Sequence, residues 1–384
     1  MADQYTVTTT TGWGSRIGNS IKGVLVGFIM FIVSFGVLYW NEGRVDVSEI
    51  AKTSVEISAT AQAPSGTDGQ LVSTTGIFKS DEKIGDTYLQ AGDYIAIKRN
   101  AEMYAWEETE KSTSKTNTGG SQTTETTYTY EKTWTGSPES STGFKQQEGH
   151  LNPAMLISGN SVAVQNAKVG IYGIDMAQVT LPSFKGVPLT STNTVLADGL
   201  TLANEQYLFK GTGSIASPQV GDIRVSYSII PNPLNTATIF GKLDSANSTI
   251  NPYYGEKNAK LYRIFEGTRD SGISTMKTEF TIITWILRGV GFFLMWFGLM
   301  SLFGPISVFL DVLPIFGSIS RSGIGAITFI VSLILSIITI LVSMIIHNLI
   351  VLIVVLLAAV IGSVWYMKGK RKKQTTTGGT NTAV

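Results

Sequence analysis

The 384-residue chain has no cysteine, which excludes disulfides, thiolate metal sites and cysteine nucleophiles. It has two histidines, His150 and His347, and no G-x-S-x-G elbow, H-E-x-x-H helix or P-loop. The net charge of +1 creates no field for nucleic acid. A more local absence says most. From Gly323 to Met367 there is no Asp, Glu, Lys or Arg, after which come Lys368, Lys370, Arg371, Lys372 and Lys373. One apolar helix of about 20 residues crosses a bilayer, so this run is long enough for two spans. The polar pair His347-Asn348 is where it turns, because unpaired peptide groups cost several kcal/mol in lipid.

The pattern predicts a multipass membrane protein with four transmembrane α-helices, one N-terminal and three C-terminal, and a β-rich α+β extramembrane domain. The first span covers 23–40 and is preceded by a tail, 1–22, holding Arg16 and Lys22. Tyr39, Trp40, Asn41 and Glu42 follow where a cleavable signal would need small residues, so the span reads as an uncleaved anchor. The second, 286–310, includes the apolar residues bracketed by Arg288 and Asp311, with Trp285 as an interfacial aromatic. Gly304-Pro305 predicts a kink or early end. The segment 306–320, interrupted by Asp311, Pro314 and Gly317, reads as interfacial or re-entrant. A loop, 311–322, then leads to spans at 323–346 and 349–367 and a basic tail, 368–384. The positive-inside rule puts Arg16, Lys22, Arg321 and the tail in the cytoplasm, with 41–281 on the other side.

The intervening segment is rich in Gly, Ser and Thr and alternates in short stretches. Ile223, Val225, Tyr227 and Ile229 share one face of a half-buried strand; residues 94–97, 162–164 and 236–240 read the same way. Short helices are predicted within 43–61 or 199–209. Residues 102–108 and 128–134 form a hairpin about Gly119-Gly120, with 111–127, including Thr118, as an outside turn or disordered tip. Tyr128, Tyr130 and Trp134 share a strand face that, with Trp106 and His150, packs on the domain core or meets a partner. Glu107, Glu108 and Glu110 read as a solvated edge. Asn247-Ser248-Thr249 is a sequon, usable only in a lumenal domain.

The ordered series from Tyr39 to Arg44, Arg99 to Glu108, Tyr128-x-Tyr130-x-x-x-Trp134, Gly149 to Pro153, Gly221 to Val225 and Ser274 to Thr278 resembles the LUMA family, also called transmembrane protein 43. The resemblance implies a multipass scaffold that self-associates and binds other membrane proteins without catalysis. It also implies the endoplasmic reticulum or inner nuclear membrane in a eukaryote; a prokaryotic member would sit in the plasma membrane. The expected partners are membrane lipids, a second copy and other membrane proteins.

Chemistry is thin. Ser343 lies one helical turn before His347, but a pair on one helix without a third orienting group makes a poor protease. No catalytic, cofactor or metal residues are predicted. The rival reading is an envelope sensor whose outside domain binds lipid or peptide. One juxtamembrane arrangement stands out: Glu42 and Arg44 leave the first span, and Lys277 and Arg288 enter the second. Charges near span ends snorkel or pair, so Glu42 is predicted to clamp Lys277 or Arg288.

Overall fold

A computed structural model describes residues 3–312 and 314–348, together with Ile353 and Leu357. These form two compact units. The β-rich unit comprises residues 3–10, 45–115 and 123–280; the helical unit comprises 11–44, 116–122 and the described residues from 281 onward.

In the helical unit, α1 (Trp13–Glu42) starts ten residues before the apolar run. Its first turns are anchored: the Trp13 indole donates to the Val308 carbonyl at 3.0 Å, and the Arg16 guanidinium to the Asp311 carboxylate at 2.5 Å. In the β-rich unit, α2 (Val47–Lys52) is capped by Asp46, which accepts from the Ser48 N–H. The third helix, α3 (Arg269–Leu302), begins well before the predicted 286 because Ile273 and Met276 pack with Phe240 and Phe265 in the β-rich unit. It ends at Leu302, before Pro305, which opens a separate helix, α4 (Gly304–Leu310); of the expected kink or early end, the structure has the early end. The segment read as re-entrant is helical, and α5 (Pro314–His347) replaces most of the predicted 311–322 loop.

Among the described residues three stretches are long and apolar enough to cross a membrane: Trp13–Lys52, Arg269–Leu302 and Ser322–His347. The predicted span 349–367 and basic tail 368–384 lie outside the described residues, apart from Ile353 and Leu357. Leu25, Phe28, Ile29 and Ile32 on α1, with Ile286, Phe293 and Phe297 on α3, are exposed; such apolar surface suits lipid, not water. Where α1 meets α3 the backbones nearly touch. A Cβ on Gly27 would lie 2.5 Å from the Ser301 Cβ and 2.8 Å from the Gly298 carbonyl, the close approach small residues permit in bilayers.

The main strands are β1 (Asp3–Thr11), β2 (Leu71–Lys79), β3 (Tyr94–Thr116), β4 (Gln122–Thr135), β5 (Asn160–Ala163) and β6 (Asn166–Val169). They continue with β7 (Tyr172–Asp175), β8 (Leu208–Lys210), β9 (Ile223–Pro231), β10 (Leu234–Asp244), β11 (Thr249–Asn251) and β12 (Arg263–Glu266). One sheet has the order β1-β4-β3-β9-β8, with β5 also on β3. In the other, β10, β2, β6, β7 and β11 pair in turn and close on β10 as a five-stranded ring, with β12 outside on β10. Val72, Phe78, Val169, Ile174, Ile239 and Ile250 belong to one core. Register Met103↔Ile223 and Ala101↔Val225 aims these residues, with Tyr227, into a second core shared with Leu189 and Leu208. The predicted alternation of residues 223, 225 and 227 is therefore seen, with Ile229 packed at its margin.

Four sequence readings are corrected here. The 1–22 tail contains a strand and the start of α1. Of the two stretches expected to hold short helices, 43–61 carries α2, whereas 199–209 is not helical; Asp198 and Gly199 have positive φ and the chain enters β8. The hairpin tip is shorter than 111–127: β3 runs to Thr116 and β4 starts at Gln122, with Ser112–Thr126 and Ser114–Thr124 hydroxyl pairs at 2.8 Å across it. β-branched Thr suits a strand even where the composition is polar. Finally, the tip meets Arg16 and Asp311: the Arg16 guanidinium also donates to the Gly120 carbonyl, and the Gly119 N–H to Val312 at 3.3 Å. The tip and Arg16, predicted on opposite sides of the membrane, thus share one end of the helical unit. Arg16, a basic flank of the first span, is buried.

Candidate functional site

The segment Tyr39 to Arg44 is where α1, α3 and α5 are joined. Asn41 is buried and its amide donates to the Thr284 carbonyl on α3 at 3.2 Å. One turn along α3, Arg288 donates to both Glu42 carboxylate oxygens at 2.8 Å, and its guanidinium lies 4.9 Å from the Trp285 ring. The Glu42 side chain is 5% exposed. On α5, the Ser343 hydroxyl donates to the Tyr39 carbonyl at 3.1 Å, and the His347 ring packs against Tyr39, tilted by 48° with centroids 4.6 Å apart. His347 also fills the space beside Gly43, where any Cβ would collide with its ring.

The structure thus brings Glu42 to Arg288 and not to Lys277. Lys277 belongs to the β-rich unit and pairs with Asp46 at 2.7 Å. Arg44 donates to the Asn41 Oδ1 at 3.3 Å and lies over Trp40. Ser343 and His347 face each other at 3.2 Å, but both are spent on packing α5 against α1. Sequence reasoning missed Asn41, Tyr39 and the Arg16–Asp311 pair. For Asp311 a signal existed: a carboxylate inside an apolar stretch needs a partner.

The aromatic face lies on the first sheet. Tyr104 and Trp106 on β3 and Tyr128, Tyr130 and Trp134 on β4 alternate with residues directed into the second core, such as Met103 and Ala105. At one end a loop covers it. Asn152 on that loop accepts from the Trp106 N–H and donates to its carbonyl, both at 2.8 Å. Tyr130 is 1% exposed and stacks on His150 with centroids 3.9 Å apart; the Trp106 ring meets His150 edge-on at 4.7 Å. Burial, then the hydrogen bond to Glu108, push the Tyr130 hydroxyl up to about 12. Glu108, read as a solvated edge, accepts from Tyr130 at 2.6 Å and from the Lys145 N–H at 2.6 Å. Farther along the face, Arg224 pairs with Glu102 at 2.7 Å and lies between Trp134 and Tyr207, 4.6 and 4.7 Å from their centroids. Tyr128 is half-buried on the same strand.

A second polar cluster was not foreseen. Asp86 accepts from Arg99 at 2.8 Å, Tyr227 at 2.6 Å and Asn160 at 3.1 Å. Burial alone would raise the Asp86 carboxyl, but hydrogen bonds from Tyr227 and Asn160 and the Arg99 charge hold it below the ordinary carboxylate range. Burial, followed by Asp86, pushes the Tyr227 hydroxyl far up. The cluster ties β3 and β9 to residues 84–92, a structural task. Among the described residues no group of three or more His, Cys, Asp or Glu could hold a metal ion.

The profile of the family described as transmembrane protein 43 matches residues 103–349. The mouse and human proteins named transmembrane protein 43 are each 24% identical over 353 residues, covering 85% of this chain and 84% of theirs. A fruit-fly protein named as a transmembrane protein 43 homolog is 26% identical over 295 residues, covering 71% of this chain and 74% of its own. No solved structure matches the chain significantly. The apolar helices and these relatives make it an integral membrane protein. The chain belongs to the transmembrane protein 43 family.

Proposed function

We propose that this chain is a non-enzymatic membrane scaffold that self-associates and organises other membrane proteins. The observation that carries the reading is how the polar groups of the spans are used. Asn41, Glu42, Arg288, Ser343 and His347 are spent on joining three helices. A transporter would place ionisable groups along a path at mid-bilayer. The described outer surface of the bundle, with Leu25, Phe28, Ile286 and Phe293 exposed, is apolar, fit for lipid and for the helices of other proteins.

Both termini are proposed to be cytoplasmic from their basic flanks, in the endoplasmic reticulum or inner nuclear membrane of a eukaryote, or the plasma membrane of a prokaryote. The test is a cross-linked pull-down from membranes, with mass spectrometry of both proteins and lipids. Recovery of a second copy and of other membrane proteins in fixed ratio supports the scaffold. One observation favours a sensor: the strip Tyr104, Trp134, Arg224 and Tyr207 is only half-buried. A lipid or peptide lost on Trp134→Ala would replace the scaffold reading with that one.

A further inference from the structure

The His150 ring is 1% exposed, and both its nitrogens face acceptors. Nδ1 lies 3.1 Å from the Gln146 carbonyl oxygen, and Nε2 lies 3.1 Å from Oδ2 of Asp3 on β1. A carbonyl and a carboxylate can only accept, and neutral imidazole carries one N–H. Both hydrogen bonds therefore exist together only in the imidazolium. In the neutral ring, one nitrogen turns a lone pair toward an oxygen. The backbone carbonyl belongs to the same short loop as the ring, whereas Asp3 is 59% exposed near the start of the chain, so Asp3 is the partner that lets go.

Among the described residues β1 is lightly held: seven of its nine residues are exposed, and one side-chain bond, Thr6 to Thr127 at 3.3 Å, joins it to β4 beyond the ladder. The ring stacks face to face on Tyr130, whose π face favours an imidazolium, and Trp106 packs against it at 80°. Of the titratable and charged groups on the elements around it, Asp3 on β1, Glu108 on β3 and Tyr130 and Lys132 on β4, with Lys145 on its own loop, are tied to the ring or to the aromatic rings that touch it, and Glu148 lies two residues before it. Glu108 is engaged by Tyr130, and the Lys132 ammonium lies over the Trp106 ring at 4.5 Å. Asp3 is the carboxylate in contact with the ring.

We propose that protonated His150 is the docking site for the chain's own N-terminal strand, so that loss of one proton frees the Asp3 end of β1 from β4. The freed strand would leave the edge of β4, a row of open backbone donors and acceptors, available to another strand.

The absence of cysteine allows a direct test on the full chain in nanodiscs. Spin labels on Gln4→Cys and Ser161→Cys report the distance from β1 to the sheet by pulsed electron resonance. At about pH 5.5 one narrow distance is expected, and at about pH 8.5, across the range where histidine ordinarily titrates, a second, broad population. Asp3→Asn should abolish the response with the strand docked throughout, because its amide N–H can donate to the neutral ring. His150→Gln should also abolish it. An identical distribution at both pH values overturns the proposal, as does a wild-type response that survives Asp3→Asn. If His150→Gln fails to fold, Asp3→Asn decides alone, since its side chain is largely solvated.

Discussion

Removing the Glu42–Arg288 pair should unfasten α1 from α3, and the cost can be worked from its geometry. The carboxylate is 5% exposed and the guanidinium 20%, with two parallel hydrogen bonds at 2.8 Å. Breaking a buried pair from one side costs about 3–5 kcal/mol because a charge is stranded. Arg288 keeps a fifth of its surface and the Trp285 ring, which lowers the expectation for Glu42→Gln to about 2–4 kcal/mol. Arg288→Met should cost about the same, and the double variant little more than either single, giving a coupling of at least about 1.5 kcal/mol. The assay is unfolding in mixed detergent–SDS micelles, read by alkylation of a reporter, Ser336→Cys, whose side chain is buried in the native bundle. Glu42→Lys should likewise weaken the bundle. Arg288→Glu should partly restore it; Lys277→Glu should not, because Lys277 serves Asp46. Additive single variants, or rescue by Lys277→Glu, would refute the reasoning.

Four further outcomes are expected. Gly298→Leu should separate α1 from α3, since a Cβ there already lies 2.8 Å from the Gly27 carbonyl, and cysteine cross-linking between the helices should fall. Trp134→Ala should cost about 1–3 kcal/mol in thermal unfolding, the worth of its contacts with Tyr104 and Arg224, and not the larger loss of a core aromatic. The Tyr262 hydroxyl is pushed up to about 12 chiefly by burial. The unfolded chain releases that proton near its ordinary 10, so this contribution to stability is full below about pH 10 and fades between about 10 and 12; Tyr262→Phe should flatten that part of the alkaline unfolding curve. Thr118→Cys and Gly18→Cys should react with an impermeant maleimide from the same side of the membrane, because the tip shares its end of the bundle with Arg16; labelling from opposite sides contradicts the contact.

Hydrophobic length made the membrane helices legible, and period-two alternation made β9 and the hairpin legible, because both are local properties of the chain. Helix ends were less so. α3 reaches back to Arg269 only because Ile273 and Met276 find Phe240 and Phe265, contacts made across distant sequence. The clamp was half legible: charge near span ends demands a partner, but the choice of Arg288 over Lys277 depends on register between helices. Arg16, Gly120 and Asp311 were illegible as a group, being brought together from three separate parts of the chain. The ring closed by β10 and β2 was hidden for the same reason, since its pairings are long-range.

The central claim, that the chain is a self-associating scaffold, is tested most directly by native mass spectrometry of the intact protein released from nanodiscs. The account predicts a discrete homo-oligomer that persists when Trp134 is replaced and that carries no stoichiometric ligand beyond annular lipid. A monomer holding one defined lipid or peptide, lost on Trp134→Ala, would contradict it.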